Sequence, residues 1–168
     1  MSSCTHAPAG AVMDEVTLLS IPEQQVLGMR RRGHYRMIPE LLVAIITYAM
    51  KNGTAIAGPP TFVCHETSPE AVMAANQAGT ADVEVAWPVA GAVKGAGEIR
   101  AYMLPGGKMA RILHHGPYEA CEPTYRQLFT WIGEQGLQIT GPIREMYLND
   151  PREVPPDQIL TEILAPVE

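Results

Sequence analysis

Cysteine is scarce in this chain of 168 residues. The three cysteines, Cys4, Cys64 and Cys121, are too few and too scattered for a disulfide framework. No charged segment followed by an apolar one opens the chain, and no apolar run reaches the roughly 18 residues that a membrane-spanning helix requires. These absences argue against a disulfide-stapled or membrane-bound protein, and they predict a reduced, cytoplasmic setting.

Basic residues are also in short supply. Lysine and arginine together number 12, against 18 aspartate and glutamate residues, which gives a formal net charge of −6. An acidic protein without a basic face is a poor binder of nucleic acid, so we predict no direct nucleic-acid binding. The one basic run, Arg-Arg-Arg at 30–32, lies on a predicted strand, where neighbouring side chains point to opposite faces. We interpret it as solvated surface.

Motifs for binding a metal, a nucleotide or another cofactor are missing as well. His114 and His115 are adjacent, and adjacent strand residues point apart, so one metal ion cannot readily take both. The Cys-His-Glu run at 64–66 has the same difficulty. The glycine-rich stretch 91–97 lacks the lysine-serine ending of a phosphate-binding loop. We therefore expect neither a metal nor a cofactor.

What the chain does contain is an internal repeat. A shift of 83 residues brings glycines, prolines and a tyrosine into coincidence, without a gap from residue 15 to residue 66. The coinciding pairs are Pro22 and Pro105, Gly33 and Gly116, Tyr35 and Tyr118, Gly53 and Gly136, and Gly58 and Gly141. Further along, an offset of 78 pairs Glu84 with Glu162, so the second copy is shorter in one loop. Glycines mark backbone positions with special dihedral angles, and their coincidence indicates a duplication.

Each copy has its own pattern of secondary structure. Pro39 and Pro123 stand where the first turn of a helix tolerates proline, and apolar residues follow at helical spacing. Gly53 and Gly136 are placed to end the two helices in a left-handed conformation. The predicted strands are 14–19, 24–33, 60–65 and 81–89 in the first copy, and 98–104, 108–115, 143–148 and 158–165 in the second.

These elements predict an α+β fold of two β-α-β-β units, with mostly antiparallel sheets and one main helix per unit. The first two strands of each copy flank a turn, at 21–24 and at 105–107. One such unit is too thin to bury its own core, so we expect the copies to lie side by side about a pseudo-twofold axis, with a central groove at the seam. The predicted organisation is a disordered tail (1–13) and a single domain (14–168) made of repeat 1 (14–90), a linker (91–97) and repeat 2 (98–168).

Repeat 2 also carries a resemblance to a known family. The matching segments are HGPYE at 115–119, WI at 131–132, glycine at 136, GPIREMYLNDP at 141–151 and LTEI at 160–163. They resemble the GyrI-like small-molecule-binding domain, also described as the effector-binding domain of AraC-type and MerR-type regulators. The resemblance covers nearly the whole chain, about 14–168, and the family has an internal duplication of its own.

The resemblance implies a function. Family members bind hydrophobic, often cationic, compounds in the seam between repeats, and a buried glutamate faces the ligand; that position is Glu145 here. Some members are similar to hydrolases that open the cyclopropane ring of DNA-alkylating natural products, and others inhibit gyrase by binding protein. No helix-turn-helix precedes residue 14, so we expect a stand-alone sensor or sequestering protein for drug-like molecules. A hydrolase and a protein-binding role stay open as alternatives.

Glu145 also stands out without the resemblance. In the repeat it coincides with Phe62, and alternation places it with Tyr147 on one face of a central strand. We expect this face to point into the seam, and Met146 and Leu148, on the other face, to pack on the helix. A carboxylate among aromatic groups is costly to desolvate, so its pKa should rise unless a partner such as a cationic ligand is present.

Two interpretations of this carboxylate stay open. Glu145 either contacts a ligand or forms a structural ion pair with Arg144 or with an arginine of the other repeat. If the chain is an enzyme, Glu145 is the predicted general acid/base, assisted by Tyr147 or Tyr118.

Other aromatic residues are candidates for the walls of the groove. Tyr35 and Tyr118 enter the helices at equivalent points, where they either rim the groove or pack in the core. Trp87 shares the alternation of a predicted strand and is a candidate aromatic wall, whereas Trp131 is interpreted as core or partly exposed. The predicted ligand-binding residues are Glu145, Tyr147, Phe62, Trp87, Tyr118 and Tyr35. Glu84 and Glu162 occupy equivalent positions, which predicts a structural role.

Overall fold

The structure, a computed structural model, describes residues 14–168, so the predicted tail at 1–13 lies outside the described residues. The elements of the described chain are β1 (Thr17–Ile21), β2 (Gln24–Gly33), α1 (Ile38–Lys51), β3 (Ala55–Ile56), β4 (Thr61–Cys64), α2 (Pro69–Ala78), β5 (Ala81–Ala90), β6 (Arg100–Leu104), β7 (Gly107–His115), α3 (Glu122–Glu134), β8 (Ile143–Tyr147) and β9 (Leu160–Pro166). The predicted α+β class is confirmed. None of the helices in 14–168 has the length and apolar character needed to cross a membrane.

The strands join one antiparallel sheet. Eight of them lie in the order β1-β7-β9-β8-β4-β5-β2-β6, and β3 pairs with β5. Strands β1, β2, β4 and β5 of repeat 1 correspond to β6, β7, β8 and β9 of repeat 2. Replacing each strand by its counterpart reverses the order, as expected for a pseudo-twofold axis between β4 and β8. The order supports the duplication that the sequence predicts, and superposition of the two halves is its direct test. The two small sheets are continuous because β4 and β8 pair at the centre.

The leading strands of the two units exchange partners. β1 pairs with β7, and β6 pairs with β2, so neither predicted turn closes a hairpin with the strand that follows it. Each unit therefore has an additional strand, which extends the sheet of the other unit. The two turns approach each other closely: a side chain at Gly106 would place its Cβ 2.4 Å from the carbonyl oxygen of Ile21. Only glycine leaves room for the neighbouring backbone there.

The helices α1 and α3 lie on one face of the sheet, the helix side. α1 packs on β2 and β5, and α3 packs on β7. Gly53 and Gly136, which follow the helices, have φ angles of 66° and 70°, so both predicted left-handed ends are present. Strands β4 and β8 lie between the two helices in the sheet. Their helix-side surface is the strip that we call the central groove.

The predicted elements do not include α2, which lies between β4 and β5. Ser68 caps its first turn, because its hydroxyl accepts a hydrogen bond from the Ala71 amide at 3.0 Å, and Gly79 follows its last residue with a φ of 71°. None of its residues is buried, so no apolar stripe marks it in the sequence. The equivalent segment of repeat 2 has only a short 3-10 turn, Pro156–Gln158, which accounts for the shorter loop.

Candidate functional site

Glu145 lies in the middle of β8, on the floor of the central groove. In the register it is opposite Phe62 of β4 and Ile163 of β9, and both belong to the apolar clusters beneath the helices. The face that carries Glu145 is therefore the helix side of the sheet. The expectation that Met146 and Leu148 pack on the helix is wrong, because β8 lies between the two helices and its helix-side face is the seam itself.

Two tyrosine hydroxyls donate hydrogen bonds to the Glu145 carboxylate. Tyr125, in the first half of α3, donates to Oε2, and Tyr147, two residues along β8, donates to Oε1 at 3.2 Å. Burial raises the pKa of Glu145, and the two hydroxyls act in the opposite direction. Burial and the adjacent carboxylate raise the pKa of both tyrosines, so they remain protonated donors at neutral pH.

Arg144 does not pair with Glu145. Its side chain points to the opposite face of the sheet, as adjacent strand residues do, and its Nη2 donates to the carbonyl oxygen of Pro105 at 2.6 Å. Within residues 14–168, Glu145 takes part in no ion pair with lysine, arginine or histidine. The structural ion pair is therefore wrong as an interpretation. Among the described residues, the hydrogen-bond donors to the carboxylate are the hydroxyls of Tyr125 and Tyr147.

Tyr35 and Tyr118 both reach the groove, from opposite sides. The ring centroid of Tyr118 lies 5.3 Å from that of Tyr147, and the ring centroid of Tyr35 lies 5.8 Å from that of Phe62. The two hydroxyls differ in their partners. That of Tyr35 donates to Glu66 at 2.5 Å, whereas that of Tyr118 has no hydrogen-bond partner in the part of the chain that the structure describes. Tyr118 is 37% exposed, so its ring and hydroxyl are accessible to a ligand.

Trp87 lies on the helix side of β5, as alternation predicts, but its indole is turned towards α1. The indole nitrogen donates to the carbonyl oxygen of Leu42 at 3.0 Å, and the side chain packs against the apolar cluster beneath that helix. A wall role for Trp87 stays a prediction. Trp131 packs against the cluster beneath α3, in keeping with its interpretation as core.

Two residues near Glu145 are absent from the predicted set. Tyr125 is one, and Thr161 of β9, opposite Tyr147 in the register, is the other. A signal for both exists in the repeat: the shift of 83 brings Tyr125 onto Leu42, and the offset of 78 brings Thr161 onto Val83. In each case repeat 2 has a polar side chain where repeat 1 has an apolar one. Glu145, which the shift of 83 brings onto Phe62, shows the same contrast.

The equivalent pair Glu84 and Glu162 lies on the opposite face of the sheet. Glu84 accepts a hydrogen bond from the Tyr102 hydroxyl at 2.7 Å and lies 2.6 Å from Nε2 of His65. Glu162 pairs with Arg111. These contacts support the predicted structural role, with side chains as partners.

The thiols beside the groove are protected rather than activated. Burial, with the charge of Glu145 as the next cause, raises the pKa of Cys64 to about 12 and that of Cys121 to about 11. A thiol with a raised pKa is a poor nucleophile, because the thiolate is the reactive form. Within 14–168, no group of three or more His, Cys, Asp or Glu side chains is arranged to hold a metal ion.

Several solved structures share the fold of this chain. The C-terminal domain of EcmrR is 24% identical with a TM-score of 0.80, and the match covers 92% of this chain and 98% of that one. In EcmrR bound to DNA, the same match spans 57% of the EcmrR chain. A hydrolase from Listeria innocua is 14% identical with a TM-score of 0.67, and the match covers 92% of each chain. The protein SAV2435, solved with tetraphenylphosphonium, is 12% identical with a TM-score of 0.54, over 92% of this chain and 94% of that one.

At these identities the likeness establishes a shared fold. A comparison with curated protein sequences found no match. The sequence model of one family, the GyrI-like small molecule binding domain, matches residues 14–168. That range includes both repeats, the central groove and all the residues around Glu145. The chain therefore belongs to the family of GyrI-like small-molecule-binding domains.

Proposed function

We propose that the chain binds hydrophobic, cationic, drug-like molecules in the central groove, as a sensor or a sequestering protein. The observation that carries the proposal is the state of Glu145, a largely buried carboxylate that accepts hydrogen bonds from two hydroxyls and forms no ion pair with a described lysine, arginine or histidine. A carboxylate removed from water without a countercharge is costly. A cationic ligand beside Glu145 would offset that cost, and an anionic ligand would add to it.

The surroundings of Glu145 suit the apolar body of such a ligand. Phe62 lies across the strand pair from it, and the rings of Tyr125, Tyr147 and Tyr118 surround it from α3, β8 and the loop before α3. A cation over an aromatic ring gains roughly 0.5–2 kcal/mol, more when water is excluded. Aromatic area also contributes about 25 cal/mol per Å² removed from water. Apolar contact would therefore supply most of the affinity, and Glu145 the preference for positive charge.

The comparisons support the proposal at a coarser level. The family is one of small-molecule-binding domains, and the fold relative SAV2435 was solved with tetraphenylphosphonium, a lipophilic cation. Tetraphenylphosphonium is therefore a suitable first probe. Tetraphenylborate has the same four phenyl groups and the opposite charge, which makes the pair a test of charge at nearly constant size.

Calorimetric titration of both ions into the wild type and into Glu145→Gln tests the proposal. We expect the wild type to bind the phosphonium and to discriminate against the borate, and Glu145→Gln to weaken phosphonium binding by ~1–3 kcal/mol. Glu134→Gln is a matched control, because it removes the same charge from an exposed position at the end of α3. Equal affinity for the two ions, or an equal effect of the two substitutions, would contradict the proposal.

A hydrolase is the second candidate function, favoured by the raised pKa of Glu145 and the adjacent Tyr147 hydroxyl. A carboxyl group whose pKa lies closer to neutrality suits general acid/base catalysis. Its test is mass spectrometry of a cyclopropane-bearing electrophile incubated with the protein, since addition of water across a ring bond raises the mass by one water. A compound that stays bound for hours without a change of mass would exclude hydrolysis of that substrate class, and Glu145→Gln should abolish turnover if it occurs.

A further inference from the structure

Thr161 is a buried polar residue without a partner. It is 2% exposed, and its hydroxyl forms no hydrogen bond with any described residue. Leaving a buried hydroxyl unpaired destabilises the folded protein, and native proteins rarely leave such a group without a water, an ion or a ligand. The hydroxyl of Thr161 therefore calls for a partner that residues 14–168 do not supply.

The position of Thr161 shows where that partner would lie. In β9 it stands opposite His114 of β7 and Tyr147 of β8, so the three side chains form a row across the helix side of the sheet. Tyr147 contacts both Glu145 and the ring of Tyr118. Thr161 thus lies on the helix side of the sheet, beside the groove floor on the side of repeat 2, and one strand away from the strand that carries Glu145.

The neighbours of Thr161 in this row are already engaged. The Nε2–H of His114 donates to the carbonyl oxygen of Pro117 at 2.8 Å, and Nδ1 lies 2.8 Å from the hydroxyl of Thr124. The Tyr147 hydroxyl donates to Glu145. Neither neighbour forms a hydrogen bond with the hydroxyl of Thr161. The equivalent position in repeat 1 is Val83, so packing at this position does not require a hydroxyl.

We propose that Thr161 determines ligand specificity: its hydroxyl binds a neutral hydrogen-bonding group of the ligand, while Glu145 binds the cationic group. The inference rests on the proposed function and narrows its substrate class. Preferred ligands are aromatic cations that carry a hydroxyl, carbonyl or ether oxygen, rather than cations whose substituents are hydrocarbon groups only. A hydroxyl both donates and accepts, so either kind of group on the ligand satisfies it.

The test uses two triphenylphosphonium cations that differ only in the fourth substituent on phosphorus. It is 4-(hydroxymethyl)phenyl in one compound and 4-ethylphenyl in the other. They have the same charge and nearly the same shape. We expect the wild type to bind the hydroxymethyl compound about three- to tenfold more tightly, the value of one hydrogen bond. Thr161→Val should remove this preference and leave affinity for the ethyl compound within about twofold. Thr161→Ser, which keeps the hydroxyl, should retain it.

Thr61→Val is the matched control. Thr61 is also 2% exposed, but it lies on the opposite face of the sheet, and its hydroxyl donates to the carbonyl oxygen of Pro59 at 3.3 Å. The Thr61→Val variant should keep the wild-type preference for the hydroxymethyl compound. Thermal unfolding shows that each variant is folded, and Thr161→Val should melt at or above the wild-type temperature because it loses an unpaired hydroxyl.

The outcomes separate the two proposals. If the phosphonium cations fail to bind, or bind equally to Glu145→Gln, the proposed function is wrong and the inference falls with it. If binding depends on Glu145 but the wild type shows no preference for the hydroxymethyl compound, or Thr161→Val keeps that preference, only the role of Thr161 is overturned. A permanently bound water on Thr161 gives this second result.

Discussion

The hydroxyl of Tyr125 on α3 donates a hydrogen bond to the carboxylate of Glu145 on β8. The bond joins one wall of the central groove to its floor. Under the proposed function, a cation that approaches Glu145 would compete with this donor or share the carboxylate with it, so Tyr125 would adjust the availability of Glu145 to a ligand as well as its pKa.

Tyr125→Phe should raise the pKa of Glu145 further, because it removes a hydroxyl that lowers that pKa. The measurement is a carboxyl ¹³C NMR titration of the free protein. Tyr48→Phe is the control, since the Tyr48 hydroxyl donates to the Lys94 carbonyl oxygen outside the groove. An unchanged Glu145 titration in Tyr125→Phe would show that the hydroxyl does not contact the carboxylate.

Cation binding should strengthen as pH rises through the pKa of Glu145. Burial raises that pKa above the ordinary value for glutamate, so at lower pH a cation must displace a proton. Below the pKa, the logarithm of the apparent Kd should fall with a slope approaching one per pH unit, and above it the Kd should level off. Titrations with tetraphenylphosphonium from about pH 4 to pH 8 cover the range. A flat profile, or the same slope in Glu145→Gln, would contradict this linkage.

The stability of the free protein should respond to pH with the opposite sign. Because the folded-state pKa of Glu145 lies above the unfolded one, its contribution is most favourable below the unfolded pKa and is lost as pH rises through the folded pKa. Glu145→Gln lacks this loss, so its melting temperature should gain on that of the wild type as pH rises. Thermal unfolding of both proteins over the same pH range checks the sign.

The repeat made much of the fold predictable from the sequence. Paired glycines located the helix ends, and φ is positive at Gly53 and Gly136 as expected. The pairing of β1 with β7 and of β6 with β2 could not be predicted in this way. Strand pairing depends on how the two turns pass each other, and a local sequence pattern carries no information about that. The helix α2 escaped prediction because none of its residues is buried, so it has no periodic apolar face.

From the sequence, the site could be predicted only for the residues of one strand, β8. Alternation placed Glu145 and Tyr147 together, but it could not say which face meets the helices, because β8 has a partly buried residue on each side. Tyr125 comes from α3 and Thr161 from β9, so their positions near the glutamate depend on tertiary packing. Position-by-position comparison of the repeats shows the same polar-for-apolar contrast at each of them.

Tyr35→Phe and Tyr118→Phe should differ in their effects. The hydroxyl of Tyr35 donates to Glu66, whose other oxygen accepts from the Asp82 amide, so its loss should cost about 1.5–3 kcal/mol of stability. The hydroxyl of Tyr118 has no described partner, and its removal should leave unfolding within about 0.5 kcal/mol of the wild type. Denaturant unfolding measures both. Equal destabilisation would contradict the asymmetry between the two sides of the groove.

The groove thiols should react slowly. With pKa values raised to about 12 for Cys64 and about 11 for Cys121, little thiolate forms at neutral pH. In a Cys4→Ser background, reaction with a disulfide reagent should be slower than for a small free thiol and should accelerate on unfolding in denaturant. A saturating phosphonium cation should slow it further if the ligand fills the groove. Fast labelling of the native protein would show that the thiols are not protected.

Gly106→Ala should strongly destabilise the fold. Its Cβ would lie 2.4 Å from the carbonyl oxygen of Ile21 and 2.6 Å from the amide nitrogen of Glu23. These are backbone atoms of the facing turn, so no flexible side chain can move away. The two turns must separate to admit the methyl group, which strains the exchanged strands β1 and β6. We expect a loss of about 2 kcal/mol or more.

Gly133→Ala is its control, because the added Cβ in α3 meets nothing within 4 Å. An alanine in a helix is favoured over glycine by about 0.5–1 kcal/mol, so this variant should be more stable than the wild type. We therefore expect denaturant unfolding to show midpoint shifts of opposite sign for the same chemical change from glycine to alanine. If Gly106→Ala unfolds at the wild-type midpoint, the turns do not approach as closely as the structure has them, and the exchange of leading strands loses its geometric support.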